Sequence, residues 1–279
     1  MSQLDLHDVT LCAVDTVNPA LAARALDLSL SQCHFGAAML LTHVDVPTRA
    51  RLEKIAPLRS LAEYSHFMLK RLADHIATPW VLVVQWDGYL LDVSRWSERF
   101  YQYDYIGARW PGASSGQDVG NGGFSLRSAK LLKALASEQF VIDSDVGEDV
   151  LIGDTWRAAL ETGHGIRFAP ADVADEFAYE YAVPRQPTFG FHGFFNMWRH
   201  VEDSTMLEIF DGLDIQTLAS PRGVALLKIY CDLRKFGCIR AMYRRYRAHM
   251  SVADVAHAFT RNGLSDEAAR EYVNICERS

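Results

Sequence analysis

The chain has 279 residues, 28 Lys and Arg against 35 Asp and Glu for a net charge of −7, and 49% hydrophobic residues. At about 150 residues per domain that length holds two domains, or one α/β domain with an appendage, with a core large enough to need no disulfides. With 14 Phe, 11 Tyr and 6 Trp and ordinary glycine and proline usage, the composition excludes disorder and collagen-like repeats, and the acidic balance disfavours a generally basic nucleic-acid binder.

The N-terminal MSQLDLHDVT carries neither a basic nor an apolar leader segment, which predicts a cytoplasmic protein. Val9–Val14 is an apolar, β-branched run ending at Asp15 and predicts a strand. Asn18 and Pro19 then supply an N-cap and a first-turn proline for a helix expected to reach about Cys33 and to be closed by Phe35-Gly36. Residues 37–42 predict a second strand, 61–76 a helix stopped by Thr78-Pro79, and 80–84 the most apolar strand. Strand, helix, strand, helix, strand implies parallel strands with right-handed crossovers, covered on both faces. Ligands bind beyond the carboxyl ends of such strands, where Asp15, Thr42, Gln85, Trp86 and Asp87 fall.

Further along, 94–101 reads as helical, 104–109 as a strand, 110–120 as a glycine-rich loop able to close over a ligand, and 121–127 as a strand or turn. Ser128 starts a helix, and 148–162 predicts another, ended by Gly163. After His200 the pattern is wholly helical, with Asn262-Gly263 as a break and Ser265 as an N-cap. The expected division is a catalytic domain over 1–202 and a helical extension over 203–279.

The five cysteines form no CxxC pair, which predicts buried or free thiols rather than a zinc site or disulfide framework. The charge is unevenly spread. Between Pro221 and Met250 eight basic residues (Arg222, Lys228, Arg234, Lys235, Arg240, Arg244, Arg245, Arg247) face Asp232 alone, so this stretch carries +7 and the remainder −14. It reads as a solvated helix face, a docking face for an anionic membrane, or a site for an anionic acceptor.

Four features carry chemistry. Asp87, at a strand end before Gly88, is placed to hold a divalent cation against a diphosphate. Asn121-Gly122-Gly123 lets backbone approach a ligand closely, without the spacing of a Walker or dinucleotide loop. Glu148-Asp149 puts two carboxylates on the first turn of a helix, suited either to the helix dipole or to general-base work. His192, between aromatics and glycines, suits a metal ligand or a packed core histidine.

Read together and in this order, QWDGYL, YDYIGARW, VGNGGFSLRS, GEDV and FGFHG resemble the glycosyltransferase-like family catalogued as domain of unknown function 5672, over roughly residues 60–200. Their order is also similar to that of inverting β-1,4-type galactosyltransferases. The resemblance implies a glycosyltransferase A-like, nucleotide-sugar-binding α/β fold, a Rossmann-like mixed sheet between helices, with the C-terminal helices as an extension. It implies a metal-dependent hexosyltransferase taking a nucleotide sugar, by expectation a UDP sugar, to a glycan or lipid-linked glycan hydroxyl in bacterial surface-polysaccharide assembly.

By the same resemblance Asp87 and His192 hold Mn2+ or Mg2+, and Gly122 and Gly123 line the donor sugar; Gln85, Trp86, Asp87 and Asn121 are further donor-site candidates, and Asp15 joins them by its position at the end of the first strand alone. Asp149, with Glu148 as the alternative, is the base. Gln85 stands where the galactosyltransferase pattern has the first Asp of D-x-D, a weaker, neutral ligand. That departure keeps a second reading in play, a catalytically silent nucleotide-sugar or glycan-binding module. Trp86, Tyr89, Trp110 and Phe124 either stack on sugar rings or pack in the core. Phe177 and Glu180 match an aromatic and an acid of the family, with no role attached. The basic segment suggests peripheral contact with the inner face of a membrane.

Overall fold

Along the first strand Thr10, Cys12 and Val14 alternate with Val9, Leu11 and Ala13, and both sets are buried. Such a strand has no solvent face and belongs in the middle of a covered sheet. The computed structural model describes residues 4–111, 118–142, 146–182 and 184–279, and it places the strand there. On one side β1 (Leu4–Val14) pairs in parallel with β2 (Cys33–Thr42), which is flanked in parallel by β3 (Arg51–Lys54). On the other side it pairs in parallel with β4 (Trp80–Val84). The short β5 (Tyr105–Ile106) and β6 (Phe124–Ser128) complete a mixed sheet of order β3-β2-β1-β4-β6-β5, with β6 antiparallel to both β4 and β5.

Helices cover both faces. From α1 (Pro19–Leu30), Ala22, Ala23 and Leu26 pack with Val9, Leu11 and Leu82. From α2 (Leu61–Lys70) and α3 (Ala129–Ala136), Met68 and Leu132 pack with Cys12, Val14, Val81 and Val83 on the opposite face. The expected α/β class and mixed sheet between helices are what the chain adopts.

Several boundaries differ from the sequence expectation. The first helix stops at Leu30, and Cys33 opens β2, because Leu4, Asp5 and Leu6 pair with Cys33, His34 and Phe35. Gly36 therefore lies inside a strand, where an added Cβ would sit 1.9 Å from the His7 carbonyl oxygen, so only glycine fits. Asn18 holds the N-cap position without a side-chain capping bond. Instead Asp15 Oδ1 accepts from the amides of Val17 (2.8 Å) and Asn18 (2.6 Å). The predicted helix over 94–101 resolves into 3-10 turns at Val93–Arg95 and Glu98–Gln102. Residues 112–117 of the predicted loop lie outside the described residues; its stem is closed by a Trp110 amide bond to the Asp118 carbonyl (2.6 Å).

The helix expected over 148–162 is interrupted. One turn, α4 (Glu148–Val150), passes into a π turn at Leu151–Thr155 and then into α5 (Arg157–His164). The stop is Gly165 in the left-handed region (φ 60°), not Gly163. Next come α6 (Ala171–Phe177) and the two-stranded parallel sheet of β7 (Ala178–Tyr179) and β8 (Gly190–Phe191).

The chain divides into two compact units, Met1–His192 and Gly193–Ser279. That division falls ten residues before the expected boundary at 202, because the 3-10 turn Phe194–Arg199 packs with the helices that follow. The second unit is helical throughout: α7 (Asp203–Gly212), α8 (Ile215–Leu218), α9 (Pro221–Asp232), α10 (Phe236–Arg247), α11 (Val252–Arg261) and α12 (Asp266–Arg278). Ser265 caps α12 as expected, accepting from the Ala268 amide at 3.2 Å, after Gly263 at φ 90°. All five cysteines are buried free thiols. No helix among the described residues is long and apolar enough to cross a membrane.

Candidate active site

The site is assembled at the carboxyl edge of β1 and β4. The backbone leaves β4 through a turn in which the Gly88 amide donates to the Gln85 carbonyl at 3.0 Å, and this turn presents Gln85 and the buried Asp87. Opposite them stands His192, just after β8. Its Nε2 lies 3.0 Å from Gln85 Oε1 and 3.4 Å from Asp87 Oδ1, while Nδ1 lies 3.0 Å from Glu180 Oε1. Burial opposes a charge on this imidazole, but Asp87 and Glu180 outweigh it and raise its pKa to about 9. Gln85 is itself held, its Nε2 donating to the Tyr64 hydroxyl at 2.9 Å.

Asn121 ties this cluster to the glycine segment. Its Nδ2 donates to Glu180 Oε2 (2.9 Å), and its Oδ1 accepts from the amides of Gly123 (3.1 Å) and Phe124 (3.4 Å). The glycines are dictated by packing. A Cβ on Gly123 would lie 2.1 Å from His192 Nε2, and one on Gly122 would lie 2.6 Å from Glu148 Oε1 and 2.9 Å from Arg127 Nη2. These two residues thus stand between the histidine cluster and the acid pair.

The two acids differ sharply. Arg127 comes from mid-β6 and is fully buried; its Nη2 donates to Glu148 Oε1 at 2.9 Å and to the Gly122 carbonyl at 3.1 Å. Glu148 is buried and ion-paired with it. Asp149 is only partly buried, accepts from the amides of Val150 (2.9 Å) and Gly122 (3.3 Å), and among the described residues has no cationic hydrogen-bond partner. Burial, reinforced by the neighbouring Glu148 charge, pushes its pKa up to about 6. Asp15, at the end of β1, is also raised to about 6, by burial and to a lesser degree by Asp87.

Of the aromatics considered for sugar stacking, Tyr89 packs edge-on against Phe191, and Phe124 is buried against Phe177 and Phe189. Trp110 lies over Gly120 and Gly153, and Trp86 packs against the core. A cavity of about 650 Å³ is lined by Arg109, Asp175, Glu176, Tyr179, Glu180 and Arg185, among others, so that Glu180 faces both it and His192. Sequence reasoning missed Arg127 and Tyr64 and left Glu180 without a role. A charged residue inside the otherwise uncharged strand FSLRS was the signal for Arg127; nothing local marks Tyr64.

Among the described residues no three His, Cys, Asp or Glu side chains are arranged to hold a metal ion. The donors that do converge are His192 Nε2, the Gln85 amide oxygen at 3.0 Å from it and Asp87 Oδ1 at 3.4 Å. A nitrogen, a carboxylate and an amide oxygen are donor types a divalent cation accepts, but His192 would hold one only after giving up its Nε2 proton, against its raised pKa. Glu180 on Nδ1 is the outer carboxylate that fixes the ring for such a role.

A family model described as protein of unknown function (DUF5672) matches residues 48–192, the span that holds every group named above except Asp15. No curated protein matches the chain. Among solved structures the chain is similar to a glycosyltransferase involved in the glycosylation of the major capsid of PBCV-1, with 13% identity, 66% of this chain and 91% of that chain covered, and a TM-score of 0.43. It is similar to the apo-form glycosyltransferase GlyE of Streptococcus pneumoniae TIGR4, at 13% identity, 68% and 54% coverage and a TM-score of 0.40. It is also similar to A197 from STIV, at 11% identity, 58% and 82% coverage and a TM-score of 0.35. All three are distant.

Proposed function

The chain belongs to the DUF5672 family, and from that premise we propose that it is an inverting glycosyltransferase, moving a sugar from a nucleotide sugar, by preference a UDP sugar, to an acceptor hydroxyl. The observation that carries this reading is the split between two adjacent carboxylates. Glu148 is spent on Arg127, whereas Asp149 is partly exposed, anchored by backbone amides and raised to about 6. A carboxylate tuned toward neutrality is what removal of a hydroxyl proton at the moment of attack requires.

In this reading the acceptor hydroxyl gives its proton to Asp149 as its oxygen attacks the anomeric carbon from the face opposite the leaving diphosphate, and one displacement inverts the centre. Asp87 and His192, with Gln85, would hold Mn2+ or Mg2+, which when bound neutralises charge on the departing diphosphate. Glu180 and Asn121 orient His192, and Arg127 keeps Glu148 from competing for the proton. Asp15, at the neighbouring strand end, is assigned to the nucleoside. The acceptor is taken to be a glycan hydroxyl, of the kind used in surface-polysaccharide assembly, brought to Asp149.

The test is a thermal-shift screen of nucleoside diphosphates and their sugars with manganese, magnesium or chelator, followed by nucleotide release. The expected result is stabilisation by one nucleotide, strengthened by metal, and turnover reduced roughly 100- to 10,000-fold in Asp149→Asn. No shift with any nucleotide overturns the donor assignment. Release equal in wild type and Asp149→Asn, with donor bound, favours instead a catalytically silent nucleotide-sugar or glycan-binding module. The Gln85 amide engaging His192 Nε2 in place of a second carboxylate is the observation behind that alternative.

A further inference from the structure

The arginine-rich stretch is not used by the site, and within its own unit much of its charge has a structural task. The Arg245 guanidinium donates to the carbonyls of Phe210, Asp211 (3.0 Å) and Leu213 (2.8 Å), closing the C-terminus of α7. Lys235 bonds Asp203 at 2.6 Å, and Lys228 bonds Asp232 at 2.7 Å. Arg234, Arg240, Arg244 and Arg247 lie at and after the elbow between α9 and α10.

There α9 ends in a Schellman arrangement, the Lys235 amide donating to the Tyr230 carbonyl (3.0 Å) and the Arg234 amide to the Cys231 carbonyl (3.1 Å). The left-handed position of this motif ordinarily belongs to glycine. Here it is Arg234 at φ 55°, the one non-glycine residue with positive φ among those described. A long cationic chain is therefore held at the apex of the turn against the local conformational preference.

Leu233 and Phe236 flank it, 44% and 50% exposed, the two exposed large hydrophobic side chains among the described residues of this unit. Arg240, Arg244 and Arg247 follow Phe236 at four, eight and eleven residues, on one exposed face of α10. From Leu233 to Ser251 the sequence contains no acidic residue. Around this face stand Asp211, 3.6 Å from Arg244 with both side chains well exposed, the Ser279 carbonyl, which accepts from Arg240 Nε at 2.9 Å, the Met250 carbonyl, which accepts from Arg247, and Glu277, which accepts from the Tyr243 hydroxyl at 2.8 Å. Asp232 is engaged by Lys228 and the Tyr272 hydroxyl.

We propose that this elbow docks the protein on an anionic bilayer surface, Leu233 and Phe236 entering the headgroup layer while Arg234, Arg240, Arg244 and Arg247 meet lipid phosphates. The combination decides the partner. Arginines alone would suit any polyanion, and an exposed apolar pair alone would suit a protein. An apolar wedge at a turn, ringed by cations and followed by a basic helix face, is complementary to an interface that is anionic outside and hydrocarbon inside. Leucine gains nothing from a nucleic-acid backbone, which argues against that occupant.

The experiment is co-sedimentation of the full chain with phosphatidylcholine vesicles and with equimolar phosphatidylcholine–phosphatidylglycerol vesicles. Binding to the anionic vesicles alone is expected, weakening as salt is raised. Each of Arg240→Gln and Arg244→Gln should lower partitioning roughly five-fold. The uncharged double variant Leu233→Ser/Phe236→Ser should abolish binding, with circular dichroism confirming that the fold is kept, since each side chain is about half exposed. Equal binding to neutral vesicles, or no binding to either, overturns the proposal. So does binding that depends on the arginines but not on Leu233 and Phe236, or that a DNA duplex competes away at equal phosphate concentration; both outcomes denote a general polyanion site.

Discussion

Arg127 and Glu148 form an ion pair with 2.9 Å between Nη2 and Oε1, and their side chains are 0% and 6% exposed. The pair joins mid-β6 to the first turn of α4 and also secures the Gly122 carbonyl. It is what distinguishes two sequence-adjacent acids that local pattern cannot tell apart.

Removing one partner leaves the other charge buried without compensation. Arg127→Met is expected to cost about 3–5 kcal/mol, and Arg127→Met/Glu148→Met should recover most of it, since replacing both charges by apolar groups is nearly neutral. Urea unfolding of the two single variants and the double variant checks this. Strictly additive losses would show that the pair is not coupled.

The sign of the pH dependence follows from Asp149 and Asp15. Both carboxyls are raised to about 6 in the folded chain, against about 3.9 unfolded. Their contribution to stability is present below pH 4 and is lost as pH rises through 6. Melting temperature followed across that window should show a descending component that shrinks in Asp149→Asn and again in Asp15→Asn/Asp149→Asn. Turnover runs the opposite way, because a base must be ionised. The rate of nucleotide release should climb tenfold per pH unit below about 6 and level above it.

Gly123 can accept no side chain without moving His192, since a Cβ would lie 2.1 Å from Nε2. Gly123→Ala is expected to cost about 1–3 kcal/mol by overpacking. It should also remove any metal-strengthened nucleotide shift, whereas an exposed control such as Gly212→Ala, whose Cβ meets nothing within 4 Å, should retain it. Thermal shift with and without manganese separates the two.

Helix α5 offers a clean contrast. Gly165, at φ 60°, closes the helix, and Gly165→Ala should destabilise by about 1 kcal/mol. Gly163 is exposed, inside the helix, with nothing within 4 Å of its Cβ position, and Gly163→Ala should stabilise by about 0.5–1 kcal/mol. Denaturation midpoints moving in opposite directions would verify where the helix ends; both falling would contradict it.

The sequence by itself determined whatever depends on a few consecutive residues. Trp80–Val84 is a strand because five apolar, mostly β-branched residues lie between a proline and a turn. Ser128 and Ser265 start helices because a hydroxyl meets an amide three residues on. The strand-end Asp87, the glycines, the acid pair and His192 were all visible as residue types at suggestive places. The apolar spacing over 148–162 is continuous and predicts one helix, while the π turn at Leu151–Thr155 is a feature of backbone packing. The tertiary structure alone decided which groups share a partner: Arg127 with Glu148, 21 residues apart, and Gln85 with His192, 107 apart. Burial and ion pairing are set by which strands adjoin, and strand order is a long-range choice. Glu148 and Asp149 therefore carry the same local signal and differ only once β6 brings a buried guanidinium to one of them.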